Sequence, residues 1–542
     1  MPPASSPRDR FDVLIVGFGP VGAALANLLG EHGVSTLVID RAADIYLAPR
    51  AIALDNEALR ILQLAGLSED AFERIAIPTV RLHSPAFGHF ARIDSCGETD
   101  GHPRLVTFHQ PDLERALRAR LTARQSVTTW TSTELVDFEE TTTGVSASLR
   151  TVDGVTRRVA ASYLVGADGA SSLVRKRIGQ EFAGRTYAED WLIVDALDIP
   201  TPIDHVEFSC DPARPAVHMC APGGRQRWEF MLRRGESAAT MERDDSVRAL
   251  LAPWVGNTPV TIERRAVYRF HARAVDAFSR GRVFLVGDAA HVTPPFAGQG
   301  LVAGLRDAAN LGWKLAWVVQ GRADAAMLAS YDRERRPHAK AMIGLAQFLG
   351  RLIMPRSIVA AGTIHGGIRA LRLLPAMRRW FDNLGMKPKN EYTDGLFVSG
   401  GARGPLVRGG LLPQGWLRTP DGALLASDEV LGGGFCLVGF GRDPGPHLDD
   451  EARAALAAVG GRCVPIAHRG QHLERAPGVA AAEDIADALV PGGAPAGWAA
   501  IVRPDRIVMH HGPVEEASRL VRESLALLGT PRGAGELRAA TP

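Results

Sequence analysis

The chain has 542 residues, which corresponds to two or three domains at about 150 residues per domain. Hydrophobic residues make up 46% of it and charged residues 23%, as in globular proteins that bury large cores. The net charge is only +2 and the arginines are scattered, which argues against nucleic acid as a partner. No window holds about 18 uninterrupted apolar residues and the first residues are unlike a signal peptide, so we expect no membrane span and a cytoplasmic protein.

Five cysteines occur without any metal-binding or redox spacing. They form neither a Cys-x-x-Cys pair nor a zinc-ligand pattern, and they are Cys96, Cys210, Cys220, Cys436 and Cys463. We therefore expect free thiols in a reducing cytoplasm, and the sequence predicts no metal site.

A strand, a glycine-rich turn, a helix and a second strand follow one another near the N-terminus. The run VLIV predicts a strand buried in a parallel sheet, and Gly17, Gly19 and Gly22 then form G-x-G-x-x-G. The first glycine permits the turn, the second admits a pyrophosphate, and the third lets the helix pack on the strand. Asp40 ends the second strand, where a carboxylate accepts the hydroxyls of an adenosine ribose. The unit predicts a dinucleotide site but does not distinguish NAD from FAD.

Two further turns with an aspartate follow predicted strands. YLVGA precedes Asp168 and Gly169, a pair that by itself indicates only a turn. RVFLVGD ends in Gly287 and Asp288. This places Asp288 at the carboxyl end of a strand, where open α/β sheets bind ligands.

The segment HVTPPFAGQG follows that strand and leads into an amphipathic helix. It is rigid at Pro295 and open at Gly298 and Gly300. A glycine loop that opens a helix directs N–H groups at negative charge. We expect the recipient to be a reduced isoalloxazine ring, with Asp288 on a ribityl hydroxyl.

In this order the three motifs resemble those of the group A flavoprotein aromatic hydroxylases, the p-hydroxybenzoate hydroxylase-like superfamily, over roughly residues 11 to 385. The resemblance implies that the cofactor is FAD. The chain has no second G-x-G-x-x-G for a separate nicotinamide domain, so the resemblance implies that NADH or NADPH binds transiently as a co-substrate. In the family the residue matching Arg50 lies near the pyrophosphate and that matching Gln110 contacts the flavin. The implied FAD-binding residues are Gly17, Gly19, Pro20, Val21, Gly22, Asp40, Arg41, Arg50, Gln110, Asp168, Gly169, Gly287, Asp288, Pro295, Gly298, Gln299 and Gly300.

Two later segments, SYDRERRPHAKAMIGLAQFLGRLI and VRPDRIV, and the overall length resemble 3-(3-hydroxyphenyl)propionate hydroxylases, which also act on 3-hydroxycinnamate. The resemblance implies a monooxygenase of aromatic catabolism. It would use NAD(P)H and O2 to hydroxylate a phenolic acid ortho to its hydroxyl, giving the 2,3-dihydroxy product. Such an enzyme has to exclude water, orient the phenol and help it toward phenolate.

The residue that polarises the phenol is not fixed by any motif. AVYRFHARAV predicts a strand whose alternation places Tyr268 and Phe270 on one face and His271 on the other. Tyr268 is the first candidate for contact with the substrate hydroxyl and His271 the second. An arginine is expected to meet the substrate carboxylate, because an unpaired buried carboxylate is costly, but the sequence does not indicate which one.

The change of pattern along the chain and the resemblance predict an α/β fold with three parts. A Rossmann-like FAD-binding domain takes residues 8–185 and 276–390, and a mainly antiparallel substrate-binding sheet takes residues 186–275. Residues 391–422, dense in glycine and proline, predict a linker. Residues 423–535 resemble a thioredoxin-like domain. Because that domain lacks Cys-x-x-Cys, packing or formation of a homodimer is favoured over redox catalysis.

Three other interpretations remain open at this point. The chain could hydroxylate a larger polyketide or polyphenol, which also fits the C-terminal domain. It could be a flavoprotein reductase or dehydrogenase that does not use O2. The remaining alternative is an FAD-dependent scaffold without catalytic activity.

Overall fold

The computed structural model describes residues 9–529 except 49, 257, 384, 401–403, 472 and 474–480. The predicted domain and linker ranges also include residues that lie outside this description, namely 8, 49, 257, 384, 401–403, 472, 474–480 and 530–535.

The first part of the chain contains most of the predicted parallel sheet. Its strands are β1 (Arg10–Val16), β2 (Thr36–Ile39), β3 (Ala53–Asp55), β4 (Arg74–Ala76), β5 (Thr79–Ser84), β6 (Gly88–Asp94), β7 (Glu98–Thr99), β8 (His102–Pro103), β9 (Leu105–Phe108), β10 (Val127–Trp130), β11 (Glu134–Glu140), β12 (Val145–Arg150) and β13 (Thr156–Gly166). Its helices are α1 (Pro20–Glu31), α2 (Asn56–Leu64), α3 (Gln110–Leu121) and α4 (Leu173–Arg177).

A second group of strands and six helices make up the middle of the chain. The strands are β14 (Ala183–Leu197), β15 (Val206–Ser209), β16 (Ala216–Ala221), β17 (Arg225–Met231), β18 (Thr261–Ala274), β19 (Ser279–Arg280), β20 (Val283–Leu285) and β21 (His291–Val292). The helices are α5 (Ala238–Met241), α6 (Asp244–Val255), α7 (Gly300–Val319), α8 (Ser330–Ile353), α9 (Ile358–Leu371) and α10 (Pro375–Asp382).

The strands that precede the three motifs lie in one sheet. β10, β2, β1 and β13 are parallel neighbours in that order, and β20 pairs in parallel with β13. The apolar runs of β1, β2 and β20 are buried, as the sequence predicts for strands covered on both faces. The carboxyl ends of β1, β13 and β20 therefore meet at one edge, and the turns that follow them lie side by side.

A second, eight-stranded sheet lies across that edge. Its order is β21-β18-β14-β17-β16-β15-β5-β6, and every neighbouring pair is antiparallel except β15 and β5. The inserted antiparallel sheet predicted for residues 186–275 is present. It extends beyond that range, because β5 and β6 reach it from residues 79–94, and β14 already begins at Ala183.

The C-terminal part is a third α/β unit. It consists of β22 (Trp416–Arg418), β23 (Leu424–Ala426), α11 (Ser427–Leu431), β24 (Cys436–Phe440), α12 (Asp450–Ala458), β25 (Arg462–Ala467), β26 (Ala482–Asp484), β27 (Trp498–Val502), β28 (Val508–Pro513) and α13 (Ala517–Ala526). Within its sheet, β25 and β24 are parallel and joined by α12, and β27 and β28 continue antiparallel from β24. This order is thioredoxin-like, as predicted.

The segment predicted as a linker is bound to the rest of the molecule. β22 lies inside the predicted range 391–422 and pairs with β26 of the C-terminal sheet. The carbonyl of Leu412 accepts a hydrogen bond from the buried Arg60 Nη1 at 2.8 Å, and Gln414 Nε2 donates to the carbonyl of Asp100 at 2.8 Å. The segment therefore packs between the FAD-binding and C-terminal parts.

A buried ionic cluster joins the two segments that resemble the hydroxyphenylpropionate hydroxylases. Arg503, after β27, donates to both carboxylate oxygens of Glu334 on α8 at 2.8 and 3.0 Å, and Lys314 Nζ on α7 donates to Glu334 at 2.7 Å. All three side chains are fully buried. Burial lowers the pKa of Lys314 to about 8, although Glu334 opposes this shift. The cluster fixes the C-terminal part to the helices behind the first sheet.

No single helix among the described residues has the length and hydropathy of a membrane span. One bent pair, Ala325–Ile353 with Ile358–Leu371 at 114°, meets that test together by length and composition.

We predict that Glu334→Gln destabilises the protein strongly. Loss of this carboxylate leaves Lys314 buried without an ion-pair partner, while Arg503 keeps its pair with Asp505, and an unpaired buried charge costs about 3–5 kcal/mol of unfolding free energy. Urea unfolding followed by tryptophan fluorescence measures the change. Arg150→Gln, which removes the exposed pair with Glu134, is the control and should cost less than about 1 kcal/mol. Equal effects of the two substitutions would contradict the role given to the cluster.

Candidate active site

One cavity of about 1850 Å³ lies at the carboxyl edge of the first sheet and extends beneath the second. Pockets for a single drug-sized ligand measure about 300–1,000 Å³, so this cavity has room for more than one molecule. All the predicted site residues line it except Gly22 and Gly287, which lie directly behind the lining. The structure thus brings together the three motifs, Tyr268 and His271.

The first two motifs touch through their backbones. Gly17 has a φ of +108°, and a Cβ atom there would lie 2.3 Å from the carbonyl oxygen of Ala167. Only glycine permits this approach, which sets the turn after β1 against the turn after β13. Around Gly19, by contrast, no heavy atom lies within 4 Å of an added Cβ. The backbone of Gly19 therefore faces open space at the N-terminus of α1, where a phosphate binds favourably.

The first and third motifs are held together by a second close approach. A Cβ atom on Gly304 of α7 would lie 2.6 Å from Val21 Cγ2 and 3.0 Å from the Cα atom of Gly287. Sequence reasoning missed Gly304, although it lies on the predicted helix. Its missing side chain lets α7 pack against both glycine turns.

Asp40 and Asp168 are fixed by backbone hydrogen bonds at the cavity wall. Asp40 Oδ2 accepts from the Phe18 N–H at 2.7 Å and Oδ1 from the Ala42 N–H at 2.8 Å. Asp168 Oδ2 accepts from the Leu173 N–H at 2.7 Å, while its Oδ1 is buried and has no partner among the described residues. Burial raises the pKa of Asp168. Its free oxygen is available to a polar group of a ligand.

The turn at Gly287 and Asp288 is anchored from α7. Asp307 accepts from the Gly287 N–H at 3.0 Å, from His291 Nε2 at 2.7 Å and from Arg335 Nε at 2.9 Å. Burial alone would raise the pKa of Asp307, but His291 and Arg335 lower it below its usual value. Asp288 itself points to the cavity, and burial raises its pKa.

A second buried ionic cluster, formed by Arg306 and Asp55, holds the loop from Gly298 to Gly300 through the side chain of Gln299. Arg306 donates to Gln299 Oε1 at 3.0 Å and to Asp55 Oδ2 at 3.0 Å, and Gln299 Nε2 donates to the same Asp55 oxygen at 3.2 Å. The Gln299 side chain is thus engaged within the protein. Its contribution to a ligand is confined to the backbone of the loop, which lines the cavity.

Gln110 and Arg50 lie where the two sheets face each other. Gln110 Oε1 accepts from the Arg50 N–H at 3.1 Å and the Ala51 N–H at 2.9 Å, and its Nε2 donates to Glu114 at 2.7 Å. The guanidinium of Arg50 lies 5.5 Å from the centre of the Tyr268 ring. Gln110 thus shapes the loop at residues 50 and 51, and Arg50 reaches toward the second sheet.

Aromatic side chains pack on the side of the cavity that the second sheet forms. Phe270 of β18 and Phe296 of the loop after β21 line the cavity, and the buried Trp191 of β14 packs behind them, with ring centres 5.7 to 6.0 Å apart. Tyr268 is on the same face as Phe270, and its hydroxyl oxygen accepts from Arg264 Nη2 at 2.6 Å. The His271 side chain lies on the opposite face of β18, and its Nδ1 atom forms a hydrogen bond with Thr186 Oγ1 at 3.2 Å. Burial lowers the pKa of His271, and the positive charges of Arg273 and Arg269 lower it further. Both predicted residues line the cavity, Tyr268 beside Arg264 and His271 beside Thr186.

A group of charged side chains on this face was missed by sequence reasoning. Arg227 donates to both oxygens of Asp195 at 2.6 and 2.9 Å, and Arg264 reaches the same carboxylate at 3.4 Å. Glu229 follows Arg227 by two positions and also lines the cavity. Side chains alternate along a strand, so the segment RQRWEFM could have predicted that Arg227 and Glu229 share one face. Asp195 lies on that face next to Arg227 only because of the pairing register of β17 with β14, which the sequence does not show.

The fold and the site define a flavoprotein with a Rossmann-like domain and a substrate sheet. Residues 10–346 match the family model described as FAD binding domain, and residues 409–527 match one described as HcaD C-terminal domain. The chain therefore belongs to the FAD-binding family of flavoprotein aromatic hydroxylases, as its motifs implied.

Curated relatives are similar over nearly their whole length. The 3-(3-hydroxy-phenyl)propionate/3-hydroxycinnamic acid hydroxylase 2 of Burkholderia vietnamiensis is 37% identical, over 92% of this chain and 93% of that protein. A protein of the same activity name from Comamonas testosteroni is 33% identical, over 97% and 98%.

Solved structures share the fold. The flavin-dependent monooxygenase PieE in complex with FAD and substrate has a TM-score of 0.81 at 22% identity, covering 97% of this chain and 100% of that one. Aklavinone-11 hydroxylase with FAD and aklavinone has a TM-score of 0.72 at 22% identity, covering 95% and 99%.

The cofactor of the chain is FAD, and the residues of this structure fit it. The open backbone at Gly19 leaves room for a pyrophosphate, and the unpartnered oxygen of Asp168 could accept a hydrogen bond from a hydroxyl or N–H group. The backbone of residues 298–300 lines the cavity and would be the part of this loop that contacts the ring system, because the Gln299 side chain bonds to Arg306.

We predict that Gly19→Ala weakens FAD binding without unfolding the protein. Gly19 has an ordinary φ of −72°, which alanine adopts, and no neighbour would clash with the new methyl group. The methyl group would occupy space needed by the pyrophosphate, so we expect the FAD Kd to rise at least ~10-fold, or ~1.4 kcal/mol. Fluorescence titration of the apoprotein with FAD measures this.

Gly344→Ala is the matched control. Gly344 is exposed on α8 and also has no heavy atom within 4 Å of an added Cβ. Its substitution should leave the FAD Kd unchanged. A wild-type FAD affinity in the Gly19→Ala protein would show that the pyrophosphate lies elsewhere.

Proposed function

We propose that the chain hydroxylates 3-(3-hydroxyphenyl)propionate, and also 3-hydroxycinnamate, ortho to the phenolic hydroxyl. The observation that carries this proposal is the identity of 33 to 38% with curated hydroxylases of that name over 92 to 97% of the chain. NADH or NADPH and O2 would be the co-substrates and the cytoplasm the location. A homodimer is a further part of the proposal.

The shape and polarity of the cavity support a small phenolic acid. Beyond the flavin motifs its walls are apolar at Ile193, Val217 and Leu349, which suits an aromatic ring. Toward solvent the lining includes Arg104 and Lys389, both exposed. We propose that these two cations receive the substrate carboxylate, so that the ring enters the cavity first.

The residues around the ring would exclude water and hold the phenol. When bound, FAD supplies the hydride acceptor for NAD(P)H and the group that activates O2. The rings of Phe270 and Phe296, backed by Trp191, form an apolar wall of the cavity that would exclude water from a bound phenol. The oxygen of Tyr268 accepts a hydrogen bond from Arg264, and Tyr268 also bonds to the side chain of Tyr46. When substrate binds, the Tyr268 O–H would turn to the phenolic oxygen and stabilise developing negative charge. His271 is the second candidate for this contact.

Turnover by the purified FAD-loaded protein tests the proposed function. We expect 3-(3-hydroxyphenyl)propionate to stimulate NADH or NADPH oxidation strongly and to give the 2,3-dihydroxy product. Stimulation only by large polycyclic phenols would favour the polyketide or polyphenol interpretation. Oxidation of NAD(P)H without an oxygenated product would favour a reductase, and no response to any phenol would refute a hydroxylase.

We predict that Tyr268→Phe lowers kcat/KM for the phenolic substrate by about 10²-fold, the usual cost of one lost donor to a developing oxyanion. FAD affinity should stay unchanged, because the side chain lies on the second sheet. Steady-state kinetics and FAD titration give the two values. Tyr163→Phe, in the parallel sheet, is the control and should keep its kcat/KM. A Tyr268→Phe enzyme as active as wild type would remove Tyr268 from the mechanism.

A further inference from the structure

Glu229 is a buried carboxyl in the apolar part of the cavity. It lies on β17 and is only 6% exposed, yet its side chain lines the cavity. Its direct cross-strand neighbours are Ile193 on β14 and Val217 on β16, which face the same side of the sheet. A carboxyl rarely occupies such a position without a polar partner.

The charged groups near Glu229 bond to each other instead. The guanidinium of Arg227 is paired with both oxygens of Asp195, and Arg264 donates to Asp195 and to Tyr268. Within the part of the chain that the structure describes, no hydrogen bond or ion pair reaches the carboxyl of Glu229. Its partner therefore has to come from the contents of the cavity.

The charged groups around Glu229 favour a bound molecule that meets the carboxylate with an uncharged group able to donate a proton. Burial raises the pKa of Glu229 above its usual value; Arg227 and Arg264 oppose this and Asp195 adds to it. The strand β16 adds only apolar groups, Val217 and Met219, on this face. A substrate carboxylate would be repelled by an ionised Glu229 and has no proton to give. A phenolic hydroxyl has a proton to donate and no charge.

We propose that Glu229 binds the phenolic hydroxyl of the substrate and acts as the base that takes its proton. The inference rests on the proposed function. The O–H bond of the phenol breaks, its electron pair stays on the phenolic oxygen, and a new O–H bond forms on the Glu229 carboxylate. The proton returns to an oxygen of the product when the product leaves. The more electron-rich phenolate ring is the form that accepts an electrophilic oxygen atom more readily.

Position and environment suit Glu229 to this task. A general base works best when its pKa approaches the operating pH, and burial shifts a carboxylate in that direction. The proposal also separates the ends of the substrate, with the hydroxyl at the buried acidic group and the carboxylate at the exposed cations Arg104 and Lys389.

The test compares FAD-loaded wild type with Glu229→Gln on two substrates. One is 3-(3-hydroxyphenyl)propionate and the other a ring-fluorinated analogue whose hydroxyl is more acidic. Glutamine keeps the volume and a hydrogen-bond acceptor but cannot take the proton. We expect kcat/KM for the parent substrate to fall about 10²–10³-fold at neutral pH, mainly through kcat. The loss should shrink to less than about tenfold for the acidic analogue and as the pH approaches about 10, where a free phenol ionises.

Two control variants separate the possible causes. Glu207 lies on β15 in the same sheet, its side chain on the opposite face, where one carboxylate oxygen is 3.6 Å from His205 Nε2. Glu207→Gln should match wild type. Tyr268→Phe removes a donor and no base, so its loss of kcat/KM should shrink less with the acidic analogue than the loss in Glu229→Gln.

Each outcome supports or overturns the proposal. Recovery with the acidic analogue and at high pH supports it. An equal loss on both substrates at every pH would mean that Glu229 has only a packing role, and an unchanged kcat/KM would exclude it from the mechanism while leaving the hydroxylase function intact. If no phenol stimulates NAD(P)H oxidation by wild type, the proposed function fails and this inference fails with it.

Discussion

The site depends on how closely three backbone turns approach one another. A side chain on Gly17 would collide with the carbonyl of Ala167, and one on Gly304 would collide with Val21 and Gly287. Because these side chains are absent, the turns after β1, β13 and β20 and the N-terminal part of α7 share one edge. N–H groups and the positive end of helix dipoles then face the same space, which is what an anionic dinucleotide requires.

Buried ionic groups hold the elements behind these turns. Asp307 connects the third turn to α8 through Arg335, and Arg306 connects the loop at residues 298–300 to Asp55. Glu334, on the same helix as Arg335, binds Arg503 of the C-terminal part. Charges of this kind add little net stability while paired, but removal of one partner is costly. They therefore specify a single arrangement of the FAD-binding and C-terminal parts around the cavity.

Much of the fold and of the cofactor site was predictable from local sequence. The strand, turn and helix around Gly17 to Gly22, and the helix after Gly300, follow from periodicity and glycine placement within short segments. The thioredoxin-like order of the C-terminal part was likewise predictable. The pairing of β5 with β15 was not, because the two strands are more than 120 residues apart in the chain. The placement of Asp195, Arg227 and Glu229 on one face of the second sheet depends on strand register, which no local pattern sets.

A crystal structure of the protein with FAD tests most directly whether the three turns converge on one cofactor. The account predicts the pyrophosphate against the backbone of Gly19, the adenosine ribose within hydrogen-bond distance of Asp40, and the isoalloxazine ring against the backbone of residues 298–300. An isoalloxazine ring bound away from residues 298–300, or a pyrophosphate bound away from Gly19, would contradict it.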